Sequence, residues 1–160
     1  MPSPRIEKLG PLRLVGVMRQ HHAAQDNNGI FLALRAQWND YIMRRAEAST
    51  LQNNFGVFGC MADGATHFDY FCGAPSEAPL PAGFVALQLP VMRCAVFAYA
   101  EPIADLRNFV RKVFMQELPT ARLSLLPRDV GAPEFVERYW DDFDHSIAVG
   151  GLDLLVPVQA

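Results

Sequence analysis

The stretch Phe135-Val136-Glu137-Arg138-Tyr139-Trp140 carries the most suggestive chemistry in the chain. In a β-strand alternate side chains share a face, so Phe135, Glu137 and Tyr139 point one way and Val136, Arg138 and Trp140 the other. A carboxylate between two aromatic rings suits an organic cation. The ring faces are apolar and electronegative, and the carboxylate supplies a counter-charge away from bulk water. The competing reading is an exposed glutamate paired with a neighbouring Lys or Arg, the ordinary state of a charged strand residue.

Other reactive side chains offer less. His21 and His22 are adjacent and therefore diverge, and no carboxylate or cysteine stands at ligand spacing nearby. Both are read as solvated, and neither a metal nor a cofactor is expected. Cys60, Cys72 and Cys94 are odd in number, and none forms a C-x-x-C pair. Each sits in an apolar or strand-like context and is read as a small buried hydrophobe, with a reducing cytoplasm as the expected compartment.

Positioning these groups requires a folded domain. The 160 residues suffice for one domain, or for two small repeats sharing a core. A net charge of −3 and the lack of any Lys/Arg run argue against direct nucleic-acid binding. No segment reaches the roughly 20 continuous apolar residues that a bilayer crossing needs. Residues 1–8 lack an apolar signal core, so neither a membrane location nor secretion is expected.

Along the chain, residues 1–10 read as a lead-in bearing Pro and charge, 12–20 as a first strand, and 21–29 as a polar loop ending in helix-capping residues. Over 29–47 the period turns helical. Phe31, Leu34, Trp38, Tyr41 and Ile42 form the apolar stripe, and Arg44 and Arg45 complement the end of the helix dipole. Residues 49–54 turn, and strands at 55–61 and 67–73 form a hairpin around Asp63-Gly64. Gly56, Gly59 and Gly73 weaken a plain strand and let the backbone approach something closely.

The Pro- and Gly-rich stretch 74–83 is the internal joint. Beyond it the order begins again, with strands at 84–89 and 92–100 and a helix from Glu101-Pro102 to Leu118 that Pro119 ends. The stripe of that helix is Ile103, Leu106, Val110, Val113 and Phe114; the strand 135–140, an acidic segment 141–145 and a closing strand 151–159 follow. The predicted fold is α+β, one domain over 1–160 built from strand–helix–strand–strand pseudo-repeats at about 12–75 and 84–159. An antiparallel sheet carries helices on one face and a ligand cleft between the repeats.

Four landmarks in this order resemble the GyrI-like, or AraC-type, effector-binding domain family. Phe55-Gly56-Val57 followed by Phe68-Asp69-Tyr70 and Gly73 is similar to its first hairpin. Leu80-Pro81-Ala82-Gly83-Phe84, Leu89-Pro90 and Cys94-Ala95-Val96-Phe97 resemble the next motif, with Cys94 replacing the usual aromatic. Glu117-Leu118-Pro119 matches the helix end, where the family commonly has Trp at the position of Glu117. Phe135 to Tyr139 is close to the family's glutamate motif, with one extra residue between Phe and Glu, and residues 154–158 resemble its closing strand. The resemblance covers about 12–159. Because no residues remain for a helix-turn-helix pair, it points to the stand-alone members, which include cationic-drug-binding proteins of integron gene cassettes.

The resemblance implies that Glu137 is the family's pocket glutamate and that lipophilic organic cations bind against it. Tyr139 and Phe135 share its strand face, Phe97 and Tyr99 alternate onto another, Trp38 and Tyr41 come from the first helix, and Phe58 and Tyr70 from the first hairpin; these are the expected aromatic walls. The leading expectation is therefore a non-enzymatic binder of lipophilic, cationic aromatic compounds. Two alternatives stand beside it: a hydrolase of reactive small molecules using Glu137 as acid or base, and an inhibitor or partner of a DNA-acting protein. A separately encoded DNA-binding regulator and a second copy of the chain are the macromolecular partners considered.

Overall fold

The computed structural model describes residues 4–22, 27–44, 54–59, 66–127, 131–145 and 147–159. The strands are β1 (Arg5–Leu9), β2 (Leu12–His22), β3 (Phe55–Phe58), β4 (His67–Pro75), β5 (Val85–Leu89), β6 (Met92–Tyr99), β7 (Phe135–Tyr139) and β8 (Leu152–Pro157). Helix α1 (Asn27–Arg44) follows β2. Between β6 and β7 runs a helical segment: a 3-10 turn (Ile103–Asp105), α2 (Leu106–Lys112), a π-helical stretch (Val113–Glu117) and a last turn, α3 (Leu118–Thr120). Of the polar loop expected at 21–29, residues 21–22 belong to β2 and 27–29 to α1, and 23–26 lie outside the described residues, as do 49–53 of the turn expected at 49–54, Arg45, Cys60 and the Asp63-Gly64 turn.

All strands join one antiparallel sheet in the order β1-β6-β8-β7-β3-β4-β2-β5. The chain passes from β1 at one edge to β2, next to the other edge, through Gly10 and Pro11 alone, so the sheet curls into a half-barrel. The β1–β2 and β5–β6 turns touch there. Gly10 has φ +88°, and a Cβ on it would stand 2.4 Å from the Pro90 carbonyl oxygen, so neither the backbone angle nor the space admits a side chain.

One face of the curled sheet closes on itself. Leu9, Leu14, Phe55, Val57, Phe71, Leu89, Met92, Cys94, Val96, Val136 and Leu155, drawn from every strand, form a core with no helical residue in it. The other face carries both helices: Ile30, Trp38 and Tyr41 of α1 and Leu106 of α2 pack there, and Val113 and Leu118 pack beside β6 and β8. The expected arrangement of an antiparallel sheet with helices on one face is the one observed. The π-helical stretch has a physical reason: its wider turn lets Val113 and Leu118, five residues apart, both reach the core.

Three sequence expectations need correction. The lead-in contains β1, which escapes an alternation test because Arg5, Ile6 and Lys8 are exposed at a sheet edge and only Leu9 is buried. Pro119 does not end the helix but sits in its last turn, α3. His21 is not solvated: it is buried, stacked at 5.5 Å on Phe68, with Nε2 2.6 Å from the Gln37 Oε1. His22 is exposed as expected.

Gln37 is the polar pin of α1. Its amide donates to the backbone carbonyls of Val17 (3.0 Å) and Tyr70 (2.8 Å), and its oxygen meets His21, so a wholly buried amide is satisfied by two strands. Replacing Gln37 by Leu keeps the volume and strands those partners. A loss of about 1–3 kcal/mol in unfolding free energy is expected, read by urea denaturation.

Candidate functional site

The register of the three central strands sets the site. Gly56 of β3 lies opposite Glu137 of β7 and Cys72 of β4, and Phe58 lies opposite Phe135 and Tyr70. Period two then gathers Phe58, Phe68, Tyr70, Phe135, Glu137 and Tyr139 on the helix-covered face of the sheet. Between that face and the helices is a cavity of about 330 Å³. Its floor is those six side chains. Its other walls are Ile30, Phe31, Leu34, Arg35 and Trp38 from α1, Ile103, Ala104, Leu106, Arg107 and Val110 from the second helical segment, Glu134 just before β7, and Phe143 and His145 from the loop before β8.

Glu137 is 3% exposed. Its Oε1 accepts two hydrogen bonds, from the Tyr70 hydroxyl at 2.5 Å and the Tyr139 hydroxyl at 3.0 Å. The Trp38 indole N–H donates to the Tyr70 oxygen at 2.9 Å, which leaves the phenol proton to point at the carboxylate. Among the described residues no donor reaches Oε2 and no Lys or Arg pairs with Glu137. Burial pushes the carboxyl pKa up from 4.5 to about 7, and the hydrogen bonds from Tyr70 and Tyr139 pull the other way. Burial and the neighbouring carboxylate raise both phenols well above their ordinary range, so they stay protonated donors.

The Tyr70–Glu137 contact joins β4 to β7 across the strand between them. It passes over Gly56, where a Cβ would stand 2.1 Å from the Tyr70 hydroxyl and 2.2 Å from the Glu137 Oε1. The close approach expected at this glycine is thus by two side chains of the site rather than by backbone. Aromatic contacts hold the rest of the wall. Trp38 stacks on His145 at 4.2 Å and meets Tyr139 edge-on at 5.0 Å, while Phe58 stacks on Phe135 at 4.3 Å.

Six of the nine residues singled out from the sequence line the cavity: Glu137, Tyr139, Trp38, Phe58, Tyr70 and Phe135. Three are elsewhere. Tyr41 is buried a turn beyond Trp38, its hydroxyl 3.5 Å from the Asn54 side-chain oxygen. Phe97 packs in the core with Val113 and Leu118. Tyr99 stacks near Phe109 and donates to the Pro102 carbonyl at 2.6 Å, which fastens the entry to the second helical segment. On the opposite face of β7, as expected, Arg138 bonds Glu7 at 2.6 Å and Asp153 at 2.9 Å, and Trp140 covers Gly151. The sequence reading missed Arg35, Arg107, Phe68, Phe143 and His145 on the cavity wall. Phe68 was legible by alternation with Tyr70; the others depend on how helices and loop dock.

Cys72 and Cys94 are buried and unbridged, as read from their context. Burial raises the Cys72 thiol strongly and the Cys94 thiol to about 11, which keeps both protonated at neutral pH. Among the described residues no group of three or more His, Cys, Asp or Glu could hold a metal ion, and no helix is long and apolar enough to cross a membrane.

Comparison with known proteins agrees with this architecture. The family described as GyrI-like small molecule binding domain matches residues 2–159. The fold is similar to that of SAV2435, solved bound to tetraphenylphosphonium, with TM-score 0.72 and 17% identity over 99% of this chain and 95% of that one. It is also similar to an integron cassette protein from the mobile metagenome of Vibrio cholerae (TM-score 0.69, 14% identity, 98% and 96% covered). A third likeness is the EcmrR C-terminal domain (TM-score 0.60, 15% identity, 98% and 97% covered). No curated protein sequence matches the chain.

Proposed function

The chain belongs to the GyrI-like small molecule binding domain family, and we propose that its cavity takes lipophilic aromatic cations with Glu137 as their counter-ion. The observation that carries this reading is a buried carboxylate on an aromatic wall with no cationic partner among the described residues. Burying an unpaired carboxylate is costly, as its raised pKa reports, and a cation entering the cavity removes that cost. The ring faces of Trp38, Phe58, Phe135 and Tyr139 supply apolar area and attraction for positive charge. The fold likeness to a protein bound to tetraphenylphosphonium supports the choice of ligand class.

Binding without turnover is the favoured mode. No Ser, Thr, Cys or Lys lines the cavity among the described residues, and the two phenols stay protonated, so the wall offers no hydroxyl, thiol or amine nucleophile for Glu137 to activate.

The test is calorimetric titration with tetraphenylphosphonium and with neutral triphenylphosphine oxide between pH 5.5 and 8.5. The cation needs the ionised carboxylate, so its affinity should rise with pH, about tenfold per unit below pH 7, and flatten above. The neutral compound should show no such slope. Equal, pH-independent binding of both would remove the counter-ion role.

A further inference from the structure

We propose that the preferred ligand is amphoteric: an aromatic cation that also carries an anionic oxygen, usually a carboxylate, held by Arg107. The proposal rests on the reading of Glu137 as counter-ion and extends it to the opposite wall.

Arg107 belongs to α2 and lines the cavity together with Ile103 and Val110, its helical neighbours at i−4 and i+3. Its Nη1 is buried and has no hydrogen-bond partner, and the guanidinium makes no ion pair among the described residues. Glu134 lines the same cavity without pairing to it. A buried guanidinium N–H without an acceptor is unfavourable, more so than a neutral donor, and buried polar atoms left this way are few in native proteins. The second cation on the helical wall is Arg35 of α1.

The charges of the cavity are therefore divided. The sheet side presents the Glu137 carboxylate, whose Oε2 meets no donor among the described residues, with Glu134 at its end, and the helical wall presents the Arg107 guanidinium. A ligand carrying only positive charge gains at the floor and is repelled at the helices. One carrying a cation at one end and a carboxylate at the other is complementary to both. Arginine is the residue suited to that second contact, because its planar fork matches a carboxylate and it cannot lose its charge.

Two dyes that differ at this one group test the proposal: rhodamine 110, with a free carboxylate, and rhodamine 123, its methyl ester. Fluorescence titration at pH 8 should show the wild type binding the free acid about tenfold or more tighter than the ester. In Arg107→Gln that preference should vanish, through weaker binding of the acid with the ester unchanged or tighter. Arg107→Lys should restore part of it, since a point charge keeps the attraction without the fork. An acid-to-ester ratio that Arg107→Gln leaves unaltered overturns the proposal. Glu137→Gln separates the two readings, because it should weaken both dyes alike; if it weakens neither, the counter-ion role fails while the Arg107 ratio still reports on the second contact.

Discussion

Replacing Glu137 by Gln is expected to weaken tetraphenylphosphonium binding roughly 30- to 900-fold at pH 8 and, at the same pH, to make the empty protein more stable. The first effect follows from removing one partner of a desolvated charge pair, which costs about 2–4 kcal/mol of affinity. The second follows from linkage. In the folded protein the carboxyl pKa is raised from 4.5 to about 7, so between those values the folded state holds a proton that the unfolded state has released. Folding stability therefore falls as pH rises from about 4.5 to 7 and stays low above. At 1.36 kcal/mol per pH unit the loss comes to about 3 kcal/mol. Glutamine has no such proton to lose, so the variant avoids most of this penalty.

Urea denaturation at pH 5 and pH 8 measures it. Wild type and variant should be similar at the lower pH and diverge at the higher, with tetraphenylphosphonium closing the gap for the wild type alone. A variant less stable than wild type at pH 8 would mean that the carboxylate is held by favourable interactions of the fold, and that no ligand is needed to justify it.

The second large effect is expected from a single methyl group. Gly56→Ala places a Cβ within about 2 Å of both the Tyr70 hydroxyl and the Glu137 Oε1, far inside van der Waals contact. Neither side chain can move freely, since Tyr70 is held by the Trp38 indole and Glu137 by Tyr139. The substitution should separate Tyr70 from Glu137, reduce cation affinity at least tenfold and destabilise the protein by about 1–3 kcal/mol. Its signature lies in the pH profile. Tyr70 hydrogen-bonds the ionised carboxylate and lowers its pKa, so removing that bond should move the midpoint of cation binding above the wild-type value near pH 7. Stability loss with an unmoved midpoint would place Gly56 in packing alone.

These two positions also show how the sequence relates to the site. Glu137 was legible because a strand's period of two is local: Phe135, Glu137 and Tyr139 share a face whatever the rest of the chain does. The helical stripe of α1 put Trp38 on the buried side for the same reason, and the glycine at 56 announced a close approach without saying of what.

What approaches Gly56 depends on β7 pairing with β3, a contact between residues about 80 positions apart, and only the folded sheet decides it. The same holds for the helical wall. Arg107 and Arg35 look like solvated charges on amphipathic helices, and the rotation at which α1 and α2 dock on the sheet turns them to the cavity. Tyr41, Phe97 and Tyr99 fit an aromatic wall by type and alternation, yet packing consumed them: Tyr41 by Asn54, Phe97 by the π-helical segment, Tyr99 by the entry to α2. By itself the sequence determined the strand faces, the helices and the family, since these rest on local periodicity and motif order. The tertiary structure decided which aromatics meet the ligand and which charges face one another, since those depend on long-range register and helix docking that no local pattern encodes.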